Sequence, residues 1–229
     1  MHLTANERLA RARTFSLLSL VTTYPGDDLA EGLRVAHDWM GPRAIVATAS
    51  LLERAAALDD LRGDYLGLFD GGGDRASLYE TEYGRMRGMA KGNDLADIAG
   101  FYEAFGLALD PEAAHEMLDH VAVELEFYSV LLLKEAALVE IGDEEGRQIV
   151  EDARKKFLVD HLGRLAGAIA ARKEVGGNGV YGPVFAWCAA VVDEECATLG
   201  VTPAPLDFFA DAEAKKDMGC GSVHLPVVQ

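Results

Sequence analysis

Cysteine is scarce in this chain of 229 residues, with three in all: Cys188, Cys196 and Cys220. Cys188 and Cys196 share a stretch with helical spacing and lie about 12 Å apart along an axis that rises roughly 1.5 Å per residue, too far to bridge. Cys220 stands alone near the C-terminus. So sparse and odd a set indicates a reducing compartment, and a chain of 24.6 kDa buries enough surface to fold without disulfides or a structural metal. Basic residues are also few, 21 Lys plus Arg against 38 Asp plus Glu, for a net charge of −17. Such a field repels phosphate backbones and anionic lipid surfaces, which excludes nucleic acid as a partner. Two readings of the acidity remain: simple solubility, or attraction for a basic peptide. No apolar run approaches the length of a membrane span, so no membrane insertion is expected. The opening Met1-His2-Leu3-Thr4-Ala5-Asn6-Glu7 lacks the basic start and apolar core of a secretory signal, and a cytoplasmic location is expected. Strand-like alternation and a 34-residue self-similarity are missing too.

What is present is helical spacing. Thr4 and Glu7 form a capping-box pattern, and Leu9, Ala12, Phe15, Leu18 and Val21 follow at helical intervals until Tyr24-Pro25-Gly26 stops them. Further helices are predicted over about 28–40, 44–58 and 60–69. Glycines at 71–73, 84, 88 and 92 make 70–94 the longest loop, and long loops in compact domains are often functional. Helical spacing resumes through Leu95, Ile98, Tyr102 and Phe105, ends at Gly106, and restarts after Asp110-Pro111-Glu112, where proline marks a first turn. Leu118, Val121, Leu125, Tyr128, Leu131 and Leu132 then form a long stripe. Asp143 opens another helix, whose inner face is predicted to carry Ile149, Ala153, Phe157, His161 and Leu165. A last helix starts near Pro183. The expectation is an all-α, single-domain helical bundle over residues 1–202, with an irregular tail at 203–229.

Catalytic signatures are missing: there is no Gly-x-Ser-x-Gly, His-Glu-x-x-His, Cys-x-x-Cys or Walker loop. Glu112 and His115 have the spacing used in di-iron bundles, but those sites need two such pairs and two more glutamates, so a solvated helix start is the plainer reading. Cys220 and His224 are close enough to share a metal, yet two ligands do not make a structural zinc site; decoration of the tail is the alternative.

The informative region is 94–131, where a helix ending Tyr102-x-x-x-Gly106-Leu107 precedes Leu118-Asp119-His120-Val121-x-x-Glu124-Leu125-x-Phe127. Together with Tyr65-Leu66-Gly67-Leu68-Phe69, Leu78-Tyr79-Glu80-Thr81-Glu82-Tyr83 and Phe157-Leu158-Val159-Asp160-His161-Leu162, this resembles the TorD/DmsD/NarJ family of redox-enzyme maturation chaperones. The family commonly has proline before Asp-His; this chain has Leu118, which leaves the entry angle of the helix open. The similarity is closest to the subgroup serving molybdenum enzymes of the DMSO reductase class that handle dimethyl sulfide, ethylbenzene, selenate or chlorate.

The resemblance implies a TorD-like bundle that is not an enzyme. Its partners would be the apo catalytic subunit of a molybdenum-cofactor oxidoreductase and that subunit's twin-arginine leader. It would have no intrinsic cofactor, since the molybdenum cofactor belongs to the client, and it would assist cofactor insertion and delay export. A leader of two arginines and an apolar stretch needs carboxylates beside a hydrophobic groove. The residues implied in that contact are Tyr65, Leu68, Phe69, Tyr79, Glu80, Asp119, His120 and Glu124, with Asp119 facing an arginine fork and His120 a backbone carbonyl. Plainer roles remain open: Asp119 as a helix N-cap, and His120 and His161 as buried, hydrogen-bonded imidazoles. Two other function classes fit the same composition, a metal-dependent helical-bundle enzyme and a generic helical interaction module.

Overall fold

The computed structural model describes residues 3–70, 76–84, 91–107 and 116–206. Among these, α-helices account for nearly all regular structure, as expected. Helix α1 (Ala5–Thr22) begins at the Thr4–Glu7 capping box, in which each side chain bonds the other residue's backbone N–H. Helices α2 (Leu29–His37), α3 (Pro42–Arg54, proline in its first turn) and α4 (Leu58–Phe69) follow, with a 3₁₀ turn at Ala55–Ala57 joining the last two. Helix α5 (Lys91–Ala104) starts inside the stretch predicted as loop, and a 3₁₀ turn occupies Glu80–Glu82.

Helix α6 (Val121–Ile141) is the centre of the bundle and packs along α1 more extensively than any other pair of elements. Its apolar residues run round most of its circumference, as a helix buried on several sides requires. Gly142, with φ 72°, ends it in the left-handed conformation that glycine adopts without a Cβ penalty. Asp143 then caps α7 (Glu144–Phe157) by accepting from the Gly146 N–H.

The predicted inner stripe holds at Phe157, His161 and Leu165, which are buried, but not at its start in α7. Ile149 is 60% exposed, and the buried positions are Arg147, Val150, Arg154 and Phe157. Apolar spacing misleads here because two buried positions are arginines with carboxylate partners: Arg147 bonds Glu144 and Glu151 of its own helix, and Arg154 is neutralised from other helices. Arg154 bonds both Glu135 of α6 and Glu195 of the last helix, and Tyr128 donates its O–H to the same Glu195 at 3.0 Å. Arg8 of α1 reaches Glu135 at 2.9 Å. This charged core ties α1, α6, α7 and the last helix together.

A π turn (Leu158–Leu162) interrupts the helix between α7 and α8 (Gly163–Ala170). A short α9 (Lys173–Gly176) and an Asn178 turn, whose Oδ1 accepts from the Val180 and Tyr181 N–H groups, lead into α10 (Tyr181–Leu199). Phe185, Trp187 and Cys196 of α10 are buried, and Val191 is half-buried against the core. Beyond it, residues 203–206 are irregular and Leu206 packs on the core. The rest of the predicted tail, with Cys220 and His224, lies outside the described residues, as do Glu112 and His115.

Candidate functional site

A cleft of about 300 Å³ opens where the end of α1, α4, the 78–82 segment and the entry to α6 meet. It is lined by Tyr24, Tyr65, Leu66, Phe69, Asp70, Leu78, Tyr79, Glu116 and His120. Helix α4 presents Tyr65 and Phe69 one turn apart, their ring centroids at 5.0 Å, and Tyr181 of α10 completes an edge-to-face set behind them. The Tyr65 O–H donates to the Thr22 carbonyl at the end of α1, fixing α4 against the first helix.

The opposite wall is a strap. Segment 78–82 lies antiparallel to the chain entering α6, where Tyr79 and His120 form a β-bridge. Val121 N–H donates to the Leu78 carbonyl and Glu80 N–H to the Asp119 carbonyl, each at 2.9 Å. The Tyr79 ring stands edge-on to His120, centroids 5.0 Å apart, and its O–H donates to Glu116 Oε2 at 2.5 Å. Burial and the neighbouring Glu116 carboxylate raise the Tyr79 phenol above its ordinary value, so the hydroxyl stays a donor.

His120 is 1% exposed and caps α6: its Nδ1 accepts from the Ala122 N–H at 3.1 Å. Burial lowers its pKa to about 4, so the ring is neutral at physiological pH. With Nδ1 acting as acceptor, the proton sits on Nε2, which faces Glu116 Oε2 at 3.9 Å. Among the described residues the lining therefore combines a neutral N–H donor, two carboxylates and four aromatic rings, with no lysine or arginine. It is an electronegative, aromatic-walled recess.

The residues implied by the sequence divide between this recess and the interior. Tyr65, Phe69, Tyr79 and His120 line the cleft together. Leu68 is half-buried against the core on another side of α4. Asp119 is 1% exposed; its Oδ2 accepts from the Thr81 hydroxyl at 2.6 Å and the Thr81 N–H at 3.2 Å. Asp119 thus clamps the strap through Oδ2, while its Oδ1 is buried without a hydrogen-bond partner among the described residues, and it does not line the cleft; the helix cap is not Asp119 but its neighbour His120. Glu80 is 7% exposed and paired with His161. Glu124 is fully buried, and both its carboxylate oxygens lack a hydrogen-bond partner among the described residues. Burial first, then the charges of Glu80 and Asp119, push its pKa well up, so it is held as the neutral acid.

Sequence reasoning missed Tyr24, Leu66, Asp70, Leu78 and Glu116. Glu116 had one available signal, its position one helical turn before His120, but the wall it joins comes from a segment nearly forty residues upstream. No group of three His, Cys, Asp or Glu side chains able to hold a metal occurs among the described residues. None of the described helices is long and apolar enough to cross a membrane.

The chain is 35% identical over 114 residues to the chlorate reductase assembly chaperone protein of Ideonella dechloratans, a match covering 49% of this chain and 56% of that one. It is 31% identical over 139 residues to the selenate reductase assembly chaperone protein of Thauera selenatis, covering 59% of this chain and 69% of the relative. The profile described as nitrate reductase delta subunit matches residues 28–171, which include α2 to α8, the strap and all of the cleft lining but Tyr24. The chain therefore belongs to the nitrate reductase delta subunit family, the redox-enzyme maturation chaperones that its motifs resemble.

Proposed function

We propose that this protein is an assembly chaperone, without catalytic activity of its own, for the catalytic subunit of a molybdenum-cofactor oxidoreductase. It binds the apo subunit, keeps it open for cofactor insertion and delays its export. The molybdenum cofactor belongs to the client, and the chaperone acts in the cytoplasm. Support comes from the family match and from two relatives named as assembly chaperones of chlorate and selenate reductase.

The cleft is where the client's twin-arginine leader is read. The observation that carries this is the cleft's composition: Glu116 and Asp70 supply carboxylates, none of the described lining residues is a lysine or arginine, and Tyr24, Tyr65, Phe69 and Tyr79 supply π faces. A guanidinium is the cation best matched to such a recess, because it bonds carboxylates in a fork and stacks on rings. The His120 Nε2–H serves a backbone carbonyl of the bound peptide. The acidic surface, −17 overall, steers a basic leader toward the site.

The test is co-purification of the tagged protein with the reductase subunit from cells that make or lack the molybdenum cofactor. Enrichment of the apo subunit, together with loss of reductase activity when the chaperone gene is removed, is expected. Equal recovery of mature and apo subunit would refute the assignment. Titration of a synthetic twin-arginine leader against its twin-lysine counterpart tests the cleft separately.

A further inference from the structure

The strap that forms one wall of the cleft is anchored twice. Its first anchor is the Asp119 clamp and the Tyr79–His120 bridge at the entry to α6. The second lies on its other side, at the π turn. There His161 Nδ1 is 2.9 Å from Glu80 Oε2 on the strap, and Nε2 is 3.2 Å from Asp97 Oδ2 on α5. One imidazole thus joins three elements far apart in sequence. Phe101 of α5 and Phe157 of α7 enclose the ring, with centroids at 5.6 and 5.3 Å.

The helix is distorted where it presents this ring. Leu158–Leu162 winds as a π turn, and the residue after it is Gly163, where an added Cβ would meet the Leu158 carbonyl oxygen at 2.3 Å. The extra residue of a π turn displaces everything after it by roughly 100° around the axis relative to a regular helix. A regular α-helix through this segment would need a different residue at the position facing Glu80.

We propose that His161 is the positioning residue of the leader cleft: bridging Glu80 and Asp97 from the π turn, it holds the strap so that Leu78 and Tyr79 stand where the peptide is gripped. This rests on the leader-binding reading of the cleft. Two carboxylate partners call for a charged ring, with both nitrogens donating. Burial pulls the His161 pKa down, but bonding and charge from Glu80, then from Asp97, outweigh it and leave it above the ordinary 6.5. The groups facing this cluster are Asp119 and buried Glu124 on the Glu80 side, and Lys156, 4.0 Å from Asp97 Oδ2, on the other. The positioning is complete below pH 6.5 and is lost as pH rises through the raised pKa.

The experiment combines peptide titration with NMR of the histidine rings, using the full chain and an N-acetylated twin-arginine leader from pH 6 to 9. His161→Gln is expected to weaken leader binding about threefold to tenfold at pH 6 and to flatten the fall in affinity that the wild type shows with rising pH. Should His161→Gln fold poorly, Asp97→Asn serves instead: the Asp97 side chain is 54% exposed, and the change should lower the His161 pKa and move the midpoint of the binding profile by the same amount. Wild-type binding that His161→Gln and Asp97→Asn leave unchanged in strength and pH profile overturns the positioning role alone. No binding by the wild type at any pH overturns the leader-binding reading, and this inference with it.

Discussion

Replacing Glu116 and Asp119 in parallel separates the two carboxylates that flank His120. Glu116→Gln removes the charge at the cleft while keeping an oxygen to accept the Tyr79 O–H. A guanidinium bound there loses a charge-assisted hydrogen bond worth about 1.5–3 kcal/mol, or about 10- to 150-fold in affinity at 1.4 kcal/mol per decade. With 16% of the Glu116 side chain exposed, water screens part of that attraction and the lower end is expected. Thermal stability should barely change. Asp119→Asn acts the other way. Its Oδ2 receives two hydrogen bonds from Thr81 in a site closed to water, so neutralising it should cost about 1–3 kcal/mol of stability. In a chain of this size that is a fall in melting temperature of about 2–4 °C per kcal/mol. Leader affinity should fall less than for Glu116→Gln. The assay is calorimetric titration of twin-arginine and twin-lysine leaders at low and high salt, with thermal denaturation followed by far-UV circular dichroism. An Asp119→Asn protein that loses affinity at unchanged melting temperature, or a Glu116→Gln protein that binds like the wild type, would refute the division of roles.

Glu124→Gln should stabilise the protein at neutral pH. The buried carboxyl has a raised pKa, so the folded state holds a proton that the unfolded chain releases above about pH 4.5, and wild-type stability drains away above that point. The two proteins should converge near pH 4 and separate as pH rises, by about 1.4 kcal/mol for each pH unit inside the window; urea unfolding at several pH values measures this, and a gap independent of pH would sink the idea. Arg154→Leu should destabilise by about 3–5 kcal/mol, because Glu135 and Glu195 are left as buried charges short of a partner. A loss under about 1 kcal/mol in the same unfolding experiment would mean that the charged core is dispensable. Gly163→Ala should cost about 1–3 kcal/mol through the clash with the Leu158 carbonyl, and lower leader affinity as well, since the π turn carries His161; a protein as stable as the wild type would show that the turn relaxes freely.

The local signals in the sequence determined most of the helices. Thr4 with Glu7, Pro42 at a first turn, Asp143 as a cap and Gly142 as a left-handed stop act within a few residues of one another, so their chemistry is complete before any tertiary contact forms. The order and spacing of the motifs carried the family, and four of the eight implied contact residues meet in the cleft. Tertiary structure alone decided the rest. Arg154 faces inward because Glu135 and Glu195 of other helices neutralise its guanidinium, and Arg147 because Glu144 and Glu151 of its own helix do so, with Glu135 of α6 at 3.7 Å, while Ile149 turns outward; apolar periodicity registers neither compensation. Asp119 lies behind the strap, 1% exposed, with one carboxylate oxygen held by Thr81, 38 residues away, while Glu116 joins the cleft through the phenol of Tyr79. His161 meets Glu80 and Asp97 only because a π turn rotates it there, over separations of 81 and 64 residues. Spacing along a chain reports which residues share a helical face; which face meets which carboxylate is set by packing, where the desolvation of each charge must be offset by a partner brought from elsewhere in the fold.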